Sequence, residues 1–208
     1  MAVPIKTIFI LWSYRKELKI VVSAFLLILL LPVIAVIILT QTGINIVSDK
    51  LVSLNETTNM VEIHDPTSGK VATTINSPMV WPVKGVVTLE FANPDLPYQL
   101  SHTGIDIANA EGKIGDDITP FMEGVVTYAG QTAIGYGKHI IIDHGNNVTS
   151  LYGHLDKILV YKGETIKIGD VIGKMGSTGW STGPHLHFQI MVFGIPVNPR
   201  TFLGQNTN

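Results

Sequence analysis

Gly183-Pro184-His185-Leu186-His187-Phe188 sets two imidazoles one residue apart beside a Gly-Pro turn. On a strand, alternate side chains leave opposite faces, so His185 and His187 share one face while Leu186 and Phe188 point into a core. A lone histidine on such a strand is ordinarily a hydrogen-bonded core residue, and H-x-H pairs also occur in structural strands. Further ligands are needed before the pair means a metal. Ser101-His102-Thr103-Gly104-Ile105-Asp106-Ile107-Ala108 supplies them. Ile105 and Ile107 alternate with Asp106, which sends the carboxylate off the sheet opposite the core, and Gly104 lets a loop bend back to bring His102 close. A His nitrogen, the Asp106 oxygen and one imidazole of the pair would make three protein ligands to tetrahedral Zn²⁺. The fourth position stays open for water, the arrangement of a catalytic site. The chain has no cysteine, which removes the thiolate sites typical of structural zinc.

Leu151-Tyr152-Gly153-His154-Leu155 adds a fourth candidate imidazole. Read as a strand, it puts Tyr152 and His154 on one face, opposite Leu151 and Leu155, and so places a phenol and an imidazole on the polar side of the sheet. His139 and His144 read as structural residues in or beside a strand, and His64 as a solvated one.

Positioning these side chains requires a sheet. From Met79-Val80-Trp81-Pro82-Val83 onward the chain is a series of short β-rich runs between glycines, with no convincing amphipathic helix. Residues 78–204 are therefore expected to form a compact all-β, antiparallel sandwich or barrel. Upstream the texture differs. Residues 1–19 carry Lys6, Arg15, Lys16 and Lys19 against Glu17, and then Ile20 to Thr40 runs without a charged side chain. At roughly 1.5 Å per residue that run spans about 30 Å, enough for a transmembrane helix, which Pro32 is expected to kink. A cleavable signal would have a shorter apolar core, of about 7 to 15 residues, and a small-residue cleavage site. The basic excess before the helix, against Lys50 alone after it, puts the N-terminus in the cytoplasm and the rest outside a cell membrane crossed once. Ile5 to Trp12 is apolar too, and an interfacial helix and an irregular segment both remain open for it. Residues 41–77, rich in Thr, Ser and Asn, read as an extracytoplasmic stalk with room for one hairpin and a turn at Asp65 to Gly69, and residues 205–208 as a tail. A net charge of −2 carries no basic excess, so nucleic acid is not an expected partner.

His102-x-x-x-Asp106, Tyr152-Gly153-His154-Leu155 and Gly183-Pro184-His185-Leu186-His187-Phe188, in that order after a Trp-Pro-Val opening at Trp81, resemble the lysostaphin-type (LytM-like) zinc endopeptidases of bacterial cell walls. Asp143-His144-Gly145 and Gly176-Ser177-Thr178-Gly179 also fit, and the likeness covers roughly residues 79–204. It implies an antiparallel fold of the duplicated hybrid motif type with a long groove. It further implies one Zn²⁺ per domain held by His102, Asp106 and His187, with His154 and His185 flanking the water and the scissile amide of a peptidoglycan peptide. Which of those two is the base stays open. Two stretches depart from the pattern: Gln189 stands where many relatives have Glu, and Gly115 to Glu123 replaces a small, Ala-rich sequence, which is expected to alter a groove wall. The alternative function is a catalytically silent wall-binding or hydrolase-activating module. A third places the domain in an envelope, secretion or conjugation complex that opens the wall locally.

Overall fold

A computed structural model describes the backbone of residues 5–204 and the side chains of residues 16–204. The expected tail at 205–208 and the side chains of Lys6 and Arg15 lie outside the described residues. Two compact units divide the chain, Met1–Leu39 and Thr40–Asn208, and each is described by itself.

In the first unit the chain is part of one helix, α1, Ile5–Leu51. It continues through Pro32, and its apolar side chains from Leu18 to Leu39 are largely exposed. By length and composition this helix could cross a membrane. The helix is longer than the expected span of 20–40.

In the second unit, the end of α1 joins the β structure. Ile44, Ser48 and Leu51 recur at helical spacing; Ser48 and Leu51 are buried and Ile44 packs against the core. Ser48 Oγ accepts a hydrogen bond from the Asn198 backbone N–H at 2.9 Å. Next come β1 (Val52–Asn55), β2 (Met60–His64) and β3 (Val71–Ile75), an antiparallel three-stranded sheet. The segment 41–77, expected as a stalk with room for one hairpin, holds the end of α1 and this three-stranded sheet. Polar composition concealed an alternating pattern in which Val52, Val61, Ile63 and Ile75 are all buried. The expected turn at Asp65 is present, with its carboxylate accepting from the N–H groups of Thr67 and Ser68. His64 is half-buried rather than solvated, with Nε2 at 2.8 Å from Ser53 Oγ.

The strands that follow are β4 (Val86–Leu89), β5 (Ile105–Ala108), β6 (Asp117–Ile118), β7 (Gly124–Gln131), β8 (Lys138–Asp143), β9 (Val148–Gly153), β10 (Lys157–Ile158), β11 (Thr165–Ile166), β12 (Gly173–Lys174), β13 (Leu186–Val192) and β14 (Ile195–Val197). A one-turn helix, α2 (Arg200–Leu203), ends the described chain. One eight-stranded antiparallel sheet runs β11-β7-β8-β9-β13-β5-β4, with β14 also paired to β13, and a small sheet runs β10-β12-β6. This is the expected all-β antiparallel class. Its core gathers Ile105, Ile107, Tyr152, Leu186, Phe188 and Ile190, all fully buried. Strand β13 lies between β9 and β5, and its alternation decides which residues leave the core for the opposite face.

Candidate metal centre and its flanking histidines

Strands β5 and β13 pair so that His187 stands directly opposite Asp106. Ile105 and Ile107 on one strand and Leu186 and Phe188 on the other are buried in the core, so Asp106 and His187 share the other face. His102 reaches the same place from the loop before β5, which is fastened by His102 N–H to Asn93 O at 2.7 Å and Ala92 N–H to His102 O at 2.8 Å. Gly104 has a different job from the bend expected of it. A β-carbon there would collide with the Phe188 carbonyl, so glycine is what lets the chain after His102 come up against β13.

Three donor atoms converge. His102 Nε2 is 2.9 Å from His187 Nδ1 and 3.1 Å from Asp106 Oδ1, and His187 Nδ1 is 3.0 Å from Asp106 Oδ1. His102 Nδ1 lies 3.3 Å from the Glu90 carbonyl, which can only accept, so the proton sits on Nδ1 and the lone pair of Nε2 faces the cluster. Donors about 2.0–2.1 Å from a tetrahedral zinc ion are roughly 3.3 Å from one another, close to the triangle found here. Lone pairs this near repel unless a proton or cation lies among them, so two imidazoles and a carboxylate fit a small divalent ion. Burial alone would raise the Asp106 carboxyl, but the His102 and His187 imidazoles beside it outweigh that and keep the group well below the usual carboxylate range. Burial pushes His187 the other way, towards its neutral form, as a ligand requires.

His185 and His154 stand beside this cluster. His185 bridges to Gly176 just before β13, donates Nδ1–H to the Gly183 carbonyl at 2.8 Å, and has Nε2 at 3.6 Å from Asp106 Oδ2. His154 donates Nδ1–H to the Thr178 carbonyl at 2.7 Å, and its ring centroid is 4.7 Å from that of His185. Burial, then the neighbouring His185, lowers its pKa to about 4. Both rings thus have Nδ1 tied to a backbone carbonyl, which leaves Nε2 as the nitrogen that can act on a bound substrate.

The expected sharing of a face by Tyr152 and His154 is not found. Tyr152 pairs with Phe188, points into the core, and its Oη accepts from the Phe121 N–H at 2.9 Å. His154 lies one residue beyond β9 with φ of 60°, and this left-handed turn reverses the direction its ring would have taken on a continued strand. The strand rule therefore erred on Tyr152, and His154 reaches the cleft by breaking the rule. His139 and His144 are structural, as expected: His139 bonds the Gly137 carbonyl and stacks on Tyr128, and His144 spans the Glu123 carbonyl and Ser150 Oγ. Gly115 to Glu123 does not line the cleft; Ile118 and Phe121 are core residues.

The cleft has a volume of about 470 Å³ and is lined by His102, Asp106, His154, His185 and His187 together with aromatic residues that sequence reasoning did not single out. Tyr98 and Trp180, from loops on either side, stack with centroids 5.6 Å apart, and Tyr136 lies 5.2 Å from the His187 ring. Tyr136 sits between Gly135 and Gly137, both at positive φ, and that Gly-aromatic-Gly pattern was the available signal. A Cβ on Gly137 or Gly179 would strike the opposite loop, so these glycines let the loops carrying Tyr136 and Trp180 interlock.

Comparison with known proteins agrees with this geometry. The model of peptidase family M23 matches residues 100–199, which hold His102, Asp106, His154, His185 and His187. The solved catalytic domain of the prophage-encoded M23 protein EnpA from Enterococcus faecalis superposes with a TM-score of 0.50 at 33% identity, over 62% of this chain and 95% of that domain. The chain belongs to peptidase family M23. Among curated relatives, DD-carboxypeptidase/endopeptidase Mpg of Neisseria meningitidis is 44% identical over 98 residues, 47% of this chain and 22% of that protein. Murein hydrolase activator NlpD of Escherichia coli is 39% identical over 125 residues, 60% of this chain and 31% of that protein. The chain thus spans about a fifth to a third of the length of these two relatives.

Proposed function

We propose that the chain is a membrane-anchored zinc endopeptidase that hydrolyses peptide bonds of peptidoglycan. The observation that carries this reading is the convergence of His102 Nε2, Asp106 Oδ1 and His187 Nδ1 beside two imidazoles held through Nδ1 by backbone carbonyls. The donor set suits zinc, which when bound supplies Lewis acidity towards water and a peptide carbonyl. The remaining work belongs to the chain. Of His154 and His185, one takes a proton from the attacking water and the other hydrogen-bonds the carbonyl oxygen as charge develops there; the proton then passes to the departing amine. Tied at Nδ1, neither ring needs to reorient during the reaction.

The exposed apolar run of α1 supports anchoring, and the basic residues Lys6, Arg15, Lys16 and Lys19 before it support a cytoplasmic N-terminus with residues 78–204 outside the membrane. On this reading the partners are wall peptides and components of an envelope, secretion or conjugation complex.

The decisive assay incubates the full-length chain in mild detergent with purified peptidoglycan and counts new amine ends. Release that stops with a chelator, returns with zinc and is lost in His187→Ala supports the reading. The 39% identity to an activator favours one alternative: no amine ends from the chain alone, but faster release by a partner hydrolase.

A further inference from the structure

Gln189 follows His187 by two residues on β13 and leaves the sheet on the same face, 3% exposed. Its Oε1 accepts two hydrogen bonds, from Thr103 Oγ1 at 2.8 Å and from Tyr136 Oη at 3.1 Å. Each donor is tied to another cleft histidine, one along the chain and one by a backbone hydrogen bond. Thr103 is the residue after His102. Tyr136 accepts the His154 N–H on its backbone carbonyl at 2.8 Å, and its ring lies against that of His187. Thus a single buried carbonyl oxygen links β13, which presents His187, to the segment of His102 and to the loop whose backbone holds His154. His187 Nε2 is buried and has no hydrogen-bond partner of ordinary geometry among the described residues.

The geometry points to Gln189 as a positioning residue: its amide oxygen, through Thr103 and Tyr136, fixes the relative placement of His102, His154 and His187. Outer partners of metal ligands act in this way, by orienting groups they do not replace. Two hydroxyls on one oxygen define the amide plane, and losing that oxygen strands two donors in a dry site. Because the acceptor is an amide, it makes this connection without adding a second negative charge beside Asp106.

The inference rests on the metal-centre reading above, and one set of variants tests the two separately. Zinc affinity of the full-length chain in detergent is measured by competition with a chromophoric chelator, and imidazole ¹⁵N shifts are read in the metal-free protein. Gln189→Leu, which keeps the volume and removes the acceptor, is expected to weaken zinc binding about 10- to 100-fold. Gln189→Glu, which still accepts from both hydroxyls, restores it to within about threefold of wild type or tighter. The pair Thr103→Val with Tyr136→Phe removes the same bonds from the other side, should match Gln189→Leu, and decides the matter if that variant does not fold. Wild-type affinity in both the Leu variant and the double variant overturns the inference, as does a Glu variant as weak as the Leu variant. If wild type takes up no zinc, the metal-centre reading fails, and the ¹⁵N shifts still decide: a single ring tautomer at His187 in wild type that becomes a mixture in the double variant supports the role of Gln189, and unchanged shifts refute it.

Discussion

Gly104 lies so close to the Phe188 carbonyl that no β-carbon fits between them. Gly104→Ala must push the His102 loop away from β13, or β13 away from its core contacts. Overpacking of this kind costs about 1–3 kcal/mol. Denaturant unfolding is expected to show that loss, with a parallel fall in zinc affinity although no ligand is altered; wild-type values in both would mean that the loop has room to move.

Asp106→Asn keeps the shape of the carboxylate and removes its charge. Zinc affinity is expected to fall by more than the roughly 10- to 100-fold typical of outer partners, and peptidoglycan cleavage with it. Chelator competition beside amine release checks this, and unchanged affinity would remove Asp106 from the ligand set.

His144 links the pH to stability away from the cleft. Burial, against a hydrogen bond to Glu123 that works the other way, lowers its pKa to about 4 from 6.5. Above about pH 6.5 the ring is neutral folded and unfolded, and its contribution is complete. As pH falls from there to about 4 the unfolded chain binds a proton that the folded one refuses, so stability is lost across that window, on the order of 3 kcal/mol at most. Urea midpoints at pH 7 and pH 4.5 for wild type and His144→Gln test this: the variant's loss should be smaller, and an equal loss would assign the effect elsewhere.

Trp180→Ala removes one member of the stacked pair at the cleft wall. Its expected signature is a KM raised about three- to tenfold, the range of a lost aromatic contact of ~0.5–1.5 kcal/mol, with little change in kcat. A kcat-only effect would place Trp180 in the chemical step.

Deleting residues 1–39 is expected to move the protein from the membrane fraction to the soluble fraction with thermal stability kept. Deleting on through Leu51 should lower Tm, because it removes the buried Ser48 and Leu51. Fractionation followed by a thermal melt distinguishes the two, and equal Tm values would mean that the helix end is dispensable.

The legible parts of this chain were those governed by a local period. Alternation around Asp106 and His187 placed both on one face, and the uncharged run 20–40 marked the exposed part of α1. What escaped depended on contacts distant in sequence or on broken periodicity. Tyr152 looked polar because its hydroxyl gave no hint of the Phe121 N–H that would satisfy it in the core. Residues 41–77 looked like linker because their few apolar side chains sit at alternate or helical positions among Thr and Asn. Gln189 could be noticed as an unusual residue, but its two hydroxyl partners lie 86 and 53 positions away.

At His154 the backbone occupies a left-handed region that suits glycine, and often asparagine, better than most residues with a β-carbon. Selection for heat tolerance alone would therefore drift towards Gly or Asn at 154, yielding sturdier molecules whose cleft lacks that imidazole. Any library built to harden this scaffold should keep that codon fixed.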